Sequence, residues 1–207
     1  MTVPKSEKRQ RLARELLLSA EEYRRAAIAL ESYGMIVGQG LDPHLMFPMN
    51  VYYAFACELY FKFLYCVLTT RDIPQTHDLE LLFKNLPKDK NVKLIIKRHW
   101  ENPVEIELQI RKATSAHTGQ PIPTFEQALA GTAKAFVKLR YHYEDRSIIN
   151  VSLDLVSAAR ATVFEMYPTE YADIRLPLPT RALSADQQNI VKVAVRVPAN
   201  PPEDHRP

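Results

Sequence analysis

One apolar segment, residues 45–68, constrains the fold more than any other part of the chain. It is long enough to span a membrane, but a proline and a few polar or charged residues interrupt it: Pro48, Asn50, Glu58 and Lys62. Charges are costly in a bilayer or a protein core unless they are paired. The segment is therefore predicted to be a buried core helix rather than a membrane span, with Glu58 and Lys62 paired four residues apart.

The composition is typical of a soluble protein with one domain and a proper core. The chain has 207 residues, of which 46% are hydrophobic and 25% are charged. Its net charge of +3 permits contact with phosphate but does not indicate a nucleic-acid coat. Cys57 and Cys66 fall on opposite faces of one helix, so no disulfide or shared metal site is expected. The charged start of the chain does not resemble a signal peptide, and we expect a cytoplasmic location.

Helical periodicity dominates the first four-fifths of the chain. Apolar residues recur at spacings of three and four within residues 5–33, and the same pattern predicts helices at about 48–69, 76–86, 89–100 and 149–166. Another helix begins at residue 124, where Thr124 and Gln127 form a capping box. Apolar and polar residues alternate over residues 103–112, as they would in a strand. The order of acidic and basic residues there is typical of a helix, and we favour the helix. Residues 115–123 are predicted to be a loop.

These patterns predict an all-α, up-and-down bundle of about five to six helices over residues 1–167. Seven of the fifteen prolines fall in the last forty residues, so residues 168–207 are predicted to be a tail that is extended or partly disordered. Residues 191–197 alternate like one short strand within that tail.

The buried pair raises the question of what else it contacts. Continuing the apolar stripe of the helix that begins at residue 124 places Arg140 on its inward edge. Arg140 is therefore a candidate third partner for Glu58 and Lys62. The group is either an ion pair that fixes the register of two helices or a polar pocket for a nucleotide or RNA phosphate.

Arg71 and His77 form a second candidate pair. An arginine and a histidine at this separation can serve as a phosphate clamp and an acid–base group in RNA cleavage. Pro74 lies between them and breaks any continuous helix, so their mutual geometry is not fixed by periodicity. The alternative is that His77 is a packed residue at the start of the next helix, which Thr76 caps and whose first turn contains Asp78.

Tyr141 and His142 extend the candidate list, because aromatic rings beside Arg140 suit stacking on bases. Tyrosines at the end of a helix are otherwise core or interface residues. The sequence contains no metal-binding spacing of histidines or cysteines, no P-loop and no dinucleotide-binding glycine pattern. It therefore predicts neither a metal nor a cofactor.

Three blocks of the sequence resemble the HEPN family of all-helical bundle proteins. The first is residues 17–27, which is similar to the opening helix of that family. The second joins the Glu-x-x-x-Lys of Glu58 and Lys62 to the His-Asp-Leu that begins at His77. The third is residues 135–144, whose Arg-Tyr-His-Tyr-Glu ending is similar to that of a bacterial branch.

The resemblance implies a bundle that commonly dimerises and that handles nucleotides or RNA. Many members are metal-independent ribonucleases of toxin–antitoxin or defence systems, with an arginine and a histidine separated by four to six residues on a late helix. Here His142 follows Arg140 too closely, and the matching pair, Arg71 and His77, lies earlier in the chain. We therefore expect a non-catalytic homodimer that binds RNA, a nucleotide or a partner protein.

Two alternatives to this expectation remain open. One is a divergent metal-independent ribonuclease that uses Arg71 and His77. The other is a purely structural dimerisation module, in which a helix packs across a two-fold axis.

Overall fold

The computed structural model of the protein describes residues 5–36, 43–139 and 152–175. These ranges contain seven α-helices, one short 3-10 helix and no strand. The α-helices are α1 (Lys5–Ile36), α2 (Pro43–Leu68), α3 (Leu79–Asn85), α4 (Val92–Glu101), α5 (Glu105–Thr118), α6 (Phe125–Leu139) and α7 (Leu153–Met166); the 3-10 helix is Ala172–Ile174. The predicted all-α bundle is confirmed, and the described residues form more helices than expected. The strand predicted at residues 191–197 lies outside them.

Helix α2 is the centre of the bundle. It packs along α1 and also contacts α3, α6 and α7. Its residues 45–68 are long and apolar enough to cross a membrane, but 61% of the apolar window is buried inside the bundle. The large side chains of Tyr60, Phe61 and Phe63 are completely buried there. Burial on several sides explains why this helix is apolar nearly all round, as is typical of the core helix of a soluble protein.

Helix boundaries follow local sequence signals with a few differences. Thr124 and Gln127 form the predicted capping box: the Thr124 amide donates to the Gln127 side chain, and the Gln127 amide donates to the Thr124 hydroxyl. Residues 103–112 are mostly helical, as predicted, but α5 continues to Thr118 and so occupies part of the predicted loop. Helix α2 begins at Pro43, five residues earlier than predicted, and therefore contains Pro48 within it.

Candidate functional site

The predicted pair on α2 is present, with Glu58 buried and Lys62 partly buried. The Lys62 Nζ lies 2.7 Å from the Glu58 Oε1. Glu58 is 3% exposed, and the Lys62 side chain is 14% exposed. At this depth a single charge would be strongly unfavourable, so the two side chains depend on each other.

His77 is the third member of this polar cluster. Its Nδ1 lies 3.1 Å from both carboxylate oxygens of Glu58, and its side chain is 49% exposed. His77 thus connects a buried carboxylate to the surface. The sequence pattern predicts Arg140 as the third member. Arg140, Tyr141 and His142 lie outside the described residues, so their contacts stay predictions.

The start of α3 determines the position of His77. Asp78 is the N-cap of α3, because its side chain accepts a hydrogen bond of 3.0 Å from the Leu81 amide. The predicted cap, Thr76, instead accepts from the Asp78 amide at 3.1 Å, so the prediction that Thr76 caps the helix and Asp78 lies in its first turn is wrong. Leu79, the next residue, is completely buried and anchors the helix start to the core. His77 is therefore held between a capped helix and α2.

Arg71 lies at a different feature, an open cleft of about 530 Å³ at the end of α2. Tyr65, Val67 and Leu68 form an apolar wall, the segment from Thr69 to Arg71 forms one rim, and Asn85, Pro87 and Asp89 form the other. Arg71 is exposed. His77 is not among the residues that line the cleft, so the structure does not place the two predicted catalytic residues together in it.

Arg9 of α1 orders the Arg71 side of the cleft. Its guanidinium donates hydrogen bonds of 2.8 Å to the backbone oxygens of Cys66 and Arg71. The Cys66 carbonyl belongs to the last turn of α2, where carbonyl groups lack helical partners. Arg9 therefore supplies a hydrogen-bond donor to the last turn of α2 and holds the backbone of the rim at Arg71.

Lys84 and Lys88 are adjacent in sequence to the residues of the opposite rim, Asn85, Pro87 and Asp89. The Lys93 Nζ donates a hydrogen bond of 2.6 Å to the backbone oxygen of Lys84. Partial burial lowers the pKa of Lys93, and the nearby charges of Lys88 and Lys84 lower it further. This lysine patch, defined as Lys84, Lys88 and Lys93, is a cluster of like charges and so favours an anion nearby.

A second buried polar cluster lies between α1, α2 and α7, and the sequence analysis missed it. Glu21 is completely buried. Its carboxylate accepts hydrogen bonds from the Tyr60 hydroxyl at 2.6 Å and from the Arg160 Nε and Nη2 at 2.6 and 3.2 Å. The available signal was the position of Glu21, four residues after Leu17 on the buried stripe of α1.

The described residues contain no group of three or more side chains arranged to hold a metal ion. Cys57 and Cys66 are both buried and carry free thiols. Burial also raises the pKa of the Cys57 thiol well above its ordinary value, so this side chain is not poised as a nucleophile.

Comparison with known proteins identifies no relative of this chain. The chain has no significant match to any family model, curated protein or solved structure. The resemblance to the HEPN family accordingly rests on the three sequence blocks alone.

Proposed function

We propose that this protein is a non-catalytic, HEPN-like bundle that binds RNA or a nucleotide through its phosphate groups at the cleft beside Arg71. The observation that carries the proposal is the combination of an open cleft, an exposed arginine on one rim and the lysine patch beside the other. Guanidinium and ammonium groups are the usual partners of phosphate. The apolar wall that includes Tyr65 suits the face of a base or sugar.

The polar cluster on α2 has a supporting role in this proposal. The Glu58 carboxylate is already bonded to Lys62 and His77, which compensates its charge within the protein. A carboxylate paired in this way is a weak nucleophile. Its contact with His77 instead positions the loop between α2 and α3. The same loop includes Arg71, so the cluster helps to hold the cleft in shape.

The binding proposal is tested by replacing Arg71 with alanine. Loss of one phosphate contact is expected to weaken binding of a labelled single-stranded RNA or of a nucleotide about tenfold. For the RNA, the slope of log affinity against log salt is expected to fall by about 0.7 per lost contact. Fluorescence anisotropy over a salt series measures both quantities.

A matched control for this experiment is Lys112→Ala, which removes one exposed positive charge from α5, away from the cleft lining. It is expected to leave affinity and salt slope close to those of the wild type. The proposal fails if the wild type binds neither RNA nor nucleotide, or if the two substitutions have equal effects.

A metal-independent ribonuclease is the second candidate, favoured by one observation. The Glu58 carboxylate contacts the Nδ1 of a half-exposed histidine, His77. A carboxylate at one ring nitrogen orients an imidazole and fixes its tautomer, as in histidines that transfer protons during catalysis. In this candidate, Arg71 would stabilise the charge that develops on the phosphate.

The second candidate predicts RNA cleavage in the presence of a metal chelator. In that case His77→Ala is expected to lower the cleavage rate by about 10²–10⁴-fold, the usual contribution of an acid–base group. His99→Ala is the matched control. His99 lies on α4, away from His77, and its ring also contacts a carboxylate, that of Glu165 on α7. If the purified wild type leaves RNA intact, or if both variants cleave equally well, the ribonuclease candidate is excluded.

A further inference from the structure

We propose that the cleft beside Arg71 selects a guanine base, which Asn85 and Asp89 recognise on the rim opposite Arg71. This selectivity rests on the proposed binding of RNA or a nucleotide in the cleft, and it assigns the part of the ligand that the second rim contacts. The cleft volume of about 530 Å³ lies within the range of roughly 300–1,000 Å³ that is usual for small-molecule sites. A base and its phosphate therefore have room there.

The two rims of the cleft carry opposite charges. Among the described residues that line it, Arg71 is the one cation and Asp89 is the one carboxylate. The lysine patch stands beside the second rim, but none of its members lines the cleft. Attraction to Arg71 and repulsion from Asp89 therefore place a phosphate of the ligand at the first rim. The base attached to that phosphate can then lie against the apolar wall and present its edge to Asn85 and Asp89.

The turn between α3 and α4 holds the second rim in place. The Asn91 amide donates a hydrogen bond of 3.3 Å to the Lys88 oxygen, which closes a turn with Asp89 at its second position. Leu86 and Val92, on either side of this turn, are buried and anchor it to the core. Asp89 therefore has a defined place on the rim before any ligand binds.

The recognition groups of the second rim are available to a ligand. In the part of the chain that the structure describes, neither the Asn85 amide group nor the Asp89 carboxylate makes a side-chain hydrogen bond. The Lys90 Nζ lies 4.0 Å from the Asp89 carboxylate, which is beyond hydrogen-bond distance. Both Asn85 and Asp89 are exposed, so a ligand in the cleft can reach them.

The hydrogen-bonding edge of guanine matches these two side chains. A carboxylate only accepts hydrogen bonds, and its two oxygens can pair with two neighbouring donors. Guanine presents two such donors, N1–H and the N2 amino group, next to the acceptor O6, which suits the amide donor of Asn85. Adenine, cytosine and uracil each present one donor group on the same edge, beside acceptors that a carboxylate repels. Asp89 therefore favours guanine over the other three bases of RNA.

Calorimetric titration of the wild type with the monophosphates of guanosine, inosine and adenosine measures this selectivity. Inosine monophosphate has a base that keeps N1–H and O6 but lacks the N2 amino group. It is expected to bind about tenfold more weakly than guanosine monophosphate, and adenosine monophosphate at least as weakly, because the paired contact with the carboxylate is lost. Deoxyguanosine monophosphate is expected to bind as tightly as guanosine monophosphate, because the proposed contact is to the base.

Asp89→Asn tests the residue assigned to the base. The new amide donates as well as accepts, so the variant is expected to lose the preference for guanine. It is expected to favour xanthosine monophosphate instead, since xanthine has an acceptor oxygen where guanine has the N2 amino group. Asp72→Asn is the matched control, because it makes the same change at an exposed residue that does not line the cleft. This control is expected to keep the preference for guanine.

The possible results separate base selectivity from nucleotide binding itself. A preference for guanine that Asp89→Asn loses and Asp72→Asn keeps supports the proposal. Equal binding of the guanosine, inosine and adenosine nucleotides overturns it and leaves the proposed RNA or nucleotide binding intact. The same holds if Asp89→Asn keeps the preference, or if the wild type prefers guanosine over deoxyguanosine monophosphate but not guanine over adenine, which would assign Asp89 to the ribose. If neither a nucleotide nor RNA binds, both proposals fail.

Discussion

Replacing Glu21 with alanine is expected to lower the free energy of unfolding by about 3–5 kcal/mol, the usual consequence of removing one partner from a buried ion pair. Glu21 is completely buried and accepts hydrogen bonds from Arg160 and Tyr60. Without it, both donors lose their acceptor, and the guanidinium of Arg160, whose side chain is only 18% exposed, is left without its carboxylate. Urea denaturation followed by circular dichroism measures the change.

The adjacent residue provides the control for Glu21. Glu22 is exposed on the same helix, so Glu22→Ala is expected to change stability by no more than about 0.5 kcal/mol. The double variant Glu21→Leu with Arg160→Met is expected to be more stable than Glu21→Ala, because it removes both charges together. Equal stabilities of Glu21→Ala and Glu22→Ala would show that the buried pair does not form in solution.

The second large effect is expected for Glu58→Ala, again of about 3–5 kcal/mol. This change leaves the ammonium of Lys62, whose side chain is 14% exposed, without its carboxylate. It also removes the contact that holds His77. His77→Ala is expected to have a smaller effect, about 1 kcal/mol, because His77 is half exposed and Glu58 keeps Lys62.

Glu80→Ala is the control for Glu58, since Glu80 is an exposed glutamate on the neighbouring helix α3. A double-mutant cycle of Glu58→Ala and Lys62→Ala isolates the energy of the pair itself. A loss of only about 0.5 kcal/mol for Glu58→Ala would mean that this carboxylate reaches water in solution.

Helices and contacts within one helix could be predicted from the sequence. The Glu58–Lys62 pair spans four residues of one helix, so its geometry is set by the helix itself. The capping box at Thr124 is equally local. Both depend on spacing alone, and both are present in the structure.

Contacts between distant segments could not be predicted in the same way. His77 reaches Glu58 through a loop whose path depends on Pro74 and on where α3 begins. Glu21 and Arg160 are separated by 139 residues, and the packing of α7 against the first two helices brings them together. A helical stripe identifies an inward position, but not which side chain it meets.

The two hydrogen bonds from Arg9 to the backbone of Cys66 and Arg71 have a consequence for binding. A flexible rim would lose conformational entropy when a ligand ordered it, and that loss would subtract from affinity. Here the first helix orders the rim during folding. A ligand that enters the cleft therefore meets a preorganised backbone at Arg71, although the exposed side chain of that residue still has to be immobilised.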